Sequence, residues 1–158
     1  MSAPFSAYLD LLHDLSGYLD QLSELARQKV DVVRQDDLLA LDEVLKQEQA
    51  MTLTLRGLEQ RRVKLVKELG LEGTSLLDLP QKSPEELEDR ARQTAEELRG
   101  SYKIYRSCAD TARNTLELNL HQIEKLAAAA GTDPAVLGAG YEAPGVEPPK
   151  NMKTDFRA

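Results

Sequence analysis

The sequence predicts an all-α protein of long antiparallel coiled-coil helices, three in number, the third with a candidate break near Gly100, followed by a flexible C-terminal tail. Three observations carry that prediction. Apolar residues recur at alternating spacings of three and four through three long stretches, which places them on one face of a helix. The apolar supply is aliphatic: 41% of the 158 residues are hydrophobic, only 4% are aromatic and none is Trp, a mixture suited to side-by-side helices with a thin core. Gly and Pro gather between the periodic stretches and beyond the last of them.

The first stretch reads Phe5, Tyr8, Leu12, Leu15, Leu19, Leu22, Ala26 and Val33, with Lys29 standing where an apolar residue is due. Sustained over about four heptads, this is a coiled-coil seam. A second layer, Leu9, Leu11, Tyr18, Leu25 and Val30, widens the stripe, so this helix is expected to touch more than one neighbour. Gly17 falls on the outer face and costs about 1 kcal/mol relative to Ala.

Arg34-Gln35-Asp36-Asp37 offers N-cap side chains and negative charge to a following helix N-terminus, so a tight reversal here makes the first two helices an antiparallel hairpin. The second seam is Leu41, Val44, Glu48, Met51, Leu55, Leu58, Arg62, Leu65 and Leu69, with Gly70 at the C′ position. Glu48 and Arg62 interrupt it. A slight roll of the helix, with both side chains reaching for water, is the expected accommodation.

Residues 71–82 read as a connector whose leucines cover the end of the hairpin. Ser83-Pro84-Glu85-Glu86 then has the form of a capping box, with Ser83 as N-cap, Pro84 at N1 and Glu86 at N3. The third seam runs Ala91, Ala95, Leu98, Tyr102, Tyr105, Ala109, Ala112, Leu116, Asn119, Ile123, Leu126 and Ala130. A helix over 84–130 is about 70 Å long and must overhang its partners. Gly100 beside Ser101 is the place for a kink. Past Ala130 the Gly and Pro content rises, which divides the chain into one helical domain over 1–130 and a flexible Gly/Pro-rich tail over 131–158 that holds Tyr141, Val146, Met152 and Phe156 as spaced apolar residues.

Charge and chemistry narrow the function classes. A formal net charge of −7 opposes binding to nucleic acid or to an anionic membrane, both of which need clustered Lys and Arg. No stretch approaches the roughly 20 apolar residues of a membrane span. The opening Met1-Ser2-Ala3-Pro4 has no basic segment leading into an apolar one, so a cytoplasmic location is expected. Cys108 is the lone cysteine. His13 has Asp10 three residues before it and His121 has Leu118, which does not make the paired Glu-x-x-His set of a four-helix carboxylate site. No phosphate loop, nucleophile elbow or zinc motif is present. No catalytic residue, metal ligand or cofactor is expected, and the protein reads as a binding protein rather than an enzyme.

Partner contact is expected on the third helix. Its middle is rich in Ala, whereas Leu116, Leu120, Ile123 and Leu126 near its end are larger than a free helix end needs. Asn119 within that seam suits selection of register or partner. The seam also suits a weak homodimer, and a client-free coiled-coil scaffold is the alternative reading.

The run Gln35-Asp36-Asp37-Leu38-Leu39-Ala40-Leu41-Asp42-Glu43-Val44-Leu45-Lys46-Gln47-Glu48, continued by Leu58-Glu59-Gln60-Arg61-Arg62 and closed by Leu69-Gly70, resembles the FlgN family of flagellar export chaperones. In that family a short acidic turn leads into a long helix with a Glu in its middle and an Arg some turns later. Asn114, Asn119-Leu120 and Ile123, followed by Tyr141-x-x-x-Gly145, are similar to the family's C-terminal half. The resemblance implies a chaperone of flagellar type III export that binds hook-associated junction proteins, prevents their premature association and delivers them to the export gate without ATP. It implies that the C-terminal half makes most of the client contact, with Tyr141 as the candidate for contact with the gate.

Overall fold

A computed structural model describes residues 2–131, and these form four helices: α1 (Ser2–Arg34), α2 (Leu38–Glu68), a single turn α3 (Leu79–Lys82) and α4 (Glu88–Ala130). A 3₁₀ turn, Glu85–Leu87, precedes α4. There is no strand among the described residues. The tail expected over 131–158 lies outside them apart from Gly131.

Every position of the α1 seam is buried, Lys29 included, and so are Leu9, Leu11, Leu25 and Val30 of the second layer. That wide stripe serves two neighbours, since α1 packs against α2 and, more extensively, against α4. Ser16 and Ser23, also buried, donate their hydroxyls to the carbonyls of Leu12 and Leu19 one turn back, at 3.2 and 2.9 Å. This satisfies them within the helix.

Local chemistry sets the ends of α2. Asp36 is in the left-handed region (φ 54°), its N–H bonds to the Val33 carbonyl, and the Asp37 N–H bonds to that of Val32, the pair of bonds that closes a Schellman motif. Asp37 then turns its carboxylate on the Ala40 N–H at 3.1 Å and caps α2. One aspartate ends a helix and the next begins one. At the far end Gly70 is left-handed as expected, with Leu71 N–H returning to Val66 O at 2.9 Å. Leu71 then buries itself against the core, and Leu76 and Leu79 join it across the end of the hairpin.

The two polar residues of the α2 seam do not reach for water. Glu48 meets Lys29 of α1 at 2.6 Å, so the misfits of two seams face each other. Arg62 forms a fork with Glu59 one turn earlier, Nε to Oε2 at 2.9 Å and Nη2 to Oε1 at 2.7 Å, and both side chains are buried. Pairing replaces hydration because both sites face the packed side of the helix, where an unpaired charge is costly.

The capping box does not form. Ser83, preceding a proline, is held extended (ψ 156°) and Pro84 is extended as well (ψ 144°). The Ser83 hydroxyl therefore points back and donates to Pro80 O at 2.5 Å. α4 starts later, at Glu88, with Glu88 and Asp89 in its first turn where the helix dipole favours them. It also runs unbroken through Gly100, where a Cβ would meet nothing within 4 Å.

The connector crosses the open end of the hairpin, so α4 starts beside the start of α1 and runs parallel to it; the antiparallel relation holds for α1 with α2 and hence for α2 with α4. Arg90 donates to Ser6 Oγ at 2.6 Å and to the Asp10 carboxylate, and His13 lies 3.3 Å from Glu97. Further along, Ala26 and Val30 pack with Ala112 and Cys108. The main core, with Leu9, Leu12, Leu15, Leu19 and Leu98 at its centre and a perpendicular Phe5–Tyr8 ring pair at one end, lies toward the connector. Toward the α1–α2 turn it thins to small residues.

Urea unfolding gives two tests of this packing. Lys29→Leu and Glu48→Leu each leave one buried charge alone and are expected to cost on the order of 3 kcal/mol, while the double substitution recovers most of that; purely additive losses would mean that the pair is not coupled. Gly100→Ala is expected to raise stability by about 0.5 to 1 kcal/mol, as in any open helix interior, and a loss would mean that the helix needs to bend there.

Candidate functional site

The offset between α1 and α4 locates the site. Asp10 with Arg90, His13 with Glu97, and Val30 with Ala112 are all separated by a similar stretch of sequence. Carried on to Arg34, that offset brings the end of α1 level with about Leu116–Leu118, and the hairpin turn reaches roughly one helical turn further. From about His121 to Ala130, α4 projects past α1 and the turn, over about 15 Å.

The residues expected to make partner contact fall in this region but do not share one state. Leu116, Asn119 and Ile123 are half-buried, the first two level with the turn and the third beyond it. Leu120 is exposed at the edge, and Leu126 lies 64% exposed. Tyr141 lies outside the described residues. The buried phase of the seam drifts: Ala127, rather than Leu126 or Ala130, is the fully buried residue near the helix end, at 0% exposure. A straight helix turns about 20° less over seven residues than a strict heptad requires, which is why a seam extended by counting lands one position off.

Three further apolar residues belong to the same end of the molecule. Leu38 and Leu39, at the start of α2, are 51% and 87% exposed, and Leu118 on α4 is 64% exposed. All three are out of phase with their helices' seams. That mismatch is the signal in the sequence that could have singled them out, because a leucine off the seam has no core to enter.

Upstream on α4, Tyr102 and Tyr105 fill the space beside the main core where the alanines leave room. Burial, and then the nearby Glu48 carboxylate, push the Tyr105 phenol above its ordinary range. Among the described residues there is no group of three or more His, Cys, Asp or Glu placed to hold a metal, and no helix is long and apolar enough to cross a membrane.

These features define an all-α protein of long packed helices whose longest helix carries large aliphatic side chains past the end of its own hairpin. The model of the FlgN protein family matches residues 1–149, and the chain belongs to the FlgN family, the flagellar export chaperones that the acidic turn and the two long helices resemble. It is thus a member of a chaperone family rather than of an enzyme family. Neither the search of curated proteins nor that of solved structures gave a match.

Tyr105 provides a pH test of the packing beneath the site. Its folded pKa is raised, so the folded protein keeps a proton that the unfolded chain releases near pH 10. The stability present below about pH 10 is expected to fall as pH rises through and beyond that value. Tyr105→Phe should flatten this fall in a pH series of thermal unfolding; an unchanged slope would show that the phenol titrates freely.

Proposed function

We propose that this protein works in the cytoplasm as an export chaperone for flagellar hook-associated proteins, holding their terminal helices apart from one another and passing them to the type III export gate. The observation that carries the proposal is the end of α4, where the exposed Leu118 and Leu120 lie level with the α1–α2 turn, the end of the molecule that also exposes Leu38 and Leu39, and where Ile123 and Leu126 continue past it. Helices that coil together only in the finished filament junction need a temporary helical partner, and an apolar helix end with a seam of its own supplies one. Asn119, half-buried in that seam, favours the client register that satisfies its amide.

Binding needs no chemical step. A chaperone that prefers the unassembled client lowers the concentration of species able to self-associate, by mass action alone. Release comes from a competing contact at the gate, for which Tyr141 is the candidate residue.

Size-exclusion chromatography with light scattering, on the protein alone and with terminal helical segments of hook-associated proteins, tests the reading. A stoichiometric complex is expected. Leu120→Asp with Ile123→Asp should weaken it by at least about tenfold, some 1.4 kcal/mol, without loss of helicity. A tight homo-oligomer that ignores those segments would instead make the chain a scaffold.

A further inference from the structure

α2 is attached to the rest of the molecule by one narrow face. Its buried residues, Leu41, Val44, Leu55 and the Glu59–Arg62 pair, form the side that packs on α1. The opposite side is periodic as well. Stepping alternately by three and four residues from Leu39 reaches Lys46, Leu53, Arg56, Val63 and Lys67, and every position on this line is exposed. Leu53 and Val63 stand 67% and 42% open to solvent. Scattered surface leucines are ordinary, but apolar residues that keep a three-four spacing mark a track along which a second helix can lie.

Charge along the track is one-sided. Between Gln49 and Lys67 the exposed residues include Arg56, Arg61, Lys64 and Lys67 and no carboxylate, since the acid within that stretch, Glu59, is buried against Arg62. None of the four cations makes an ion pair with a described residue. The whole chain carries a formal net charge of −7, so an uncompensated basic stripe about 20 Å long runs against its overall balance. A twofold pairing of this face with itself would set cations against cations. An anionic membrane is broad and would also meet the exposed Glu43 and Glu68 beyond either end of the stripe. A single helix is narrow enough to meet the stripe alone.

We propose that the outer face of α2 from Leu53 to Lys67 is a docking track for an acidic amphipathic helix of a second protein, with the partner's apolar residues on Leu53 and Val63 and its carboxylates on Arg56, Lys64 and Lys67. The track occupies the half of α2 that leads to the connector, whereas the proposed client site is the end of α4, so both helices can be held at once and neither site depends on the other. Because the cations are exposed, charge governs how fast and how selectively the partner arrives, and salt weakens the complex.

Fluorescence anisotropy on the full chain tests this with two labelled helical peptides, one with Leu at the three-four spacing and Glu on both flanks, the other with Lys in place of Glu. Like-charged flanks keep each peptide from coiling with itself. The acidic peptide is expected to bind at least about tenfold more tightly than the basic one and to weaken as salt is added. Arg56→Glu with Lys64→Glu, both at exposed positions, should reverse that preference while the circular dichroism of the protein stays unchanged. No binding of the acidic peptide, equal binding of the two, or an unreversed preference in the charge-swapped variant would overturn the proposal. Leu120→Asp with Ile123→Asp should leave the acidic peptide bound as before; its loss would put the peptide on the end of α4 instead. Phosphatidylserine vesicles that capture the wild type but not the charge-swapped variant would assign the stripe to a membrane surface, and a dimer that the charge swap dissociates would assign it to a second copy; either result overturns the acidic helix.

Discussion

The middle position of α1 is the constraint on which the rest of the structure depends. A helix buried on one stripe can serve one partner; α1 is buried over two adjoining stripes, and the other two long helices are held through it. Leu9, Leu12, Leu15 and Leu19 have no exposed surface, and full burial of each is worth about 2 kcal/mol. These contacts concentrate at the end covered by the connector. The protein is therefore anchored at one end, and its packing becomes shallower toward the other.

That gradient suits the activity of the family. Close to the connector, aliphatic side chains interdigitate; of the two polar pairs that lie within the α1–α2 layer, Arg62 with Glu59 and Lys29 with Glu48, the second lies nearer the turn. The Lys29–Glu48 pair has a role that apolar residues would not serve as well, because a hairpin slipped by one heptad would leave both charges buried and alone. Toward the turn the contacts fall to Ala26, Val30, Ala112 and Cys108. For the proposed role, a helix end that accepts a partner needs neighbours that do not compete for the same surface, and small residues do not compete for it.

Much of this architecture is legible in the order of residues alone. The α1 seam is buried at every expected position, Asp37 caps α2, Gly70 ends it, and α4 ends at Ala130. These features depend on periodicity and on the hydrogen-bonding needs of a few backbone groups, which a local stretch of sequence determines. The departures are local as well, but in each a competing interaction outweighs the pattern. Ser83 has the spacing of an N-cap, yet the following proline holds it extended, and its hydroxyl finds the Pro80 carbonyl instead. Gly100 is a plausible break, and the burial of Leu98 and Ser101 on either side keeps the helix whole.

The sequence by itself determined the helices, their apolar faces and the turns between them, because each is set by residues within a few positions of one another. Only the tertiary structure decided which faces meet. That α4 lies parallel to α1, that Lys29 finds Glu48, and that the end of α4 outruns α1 all depend on the path of the connector and on the unequal lengths of the helices. A periodic stripe records its angle around its own axis. It carries no record of the direction or the extent of the neighbour that will cover it.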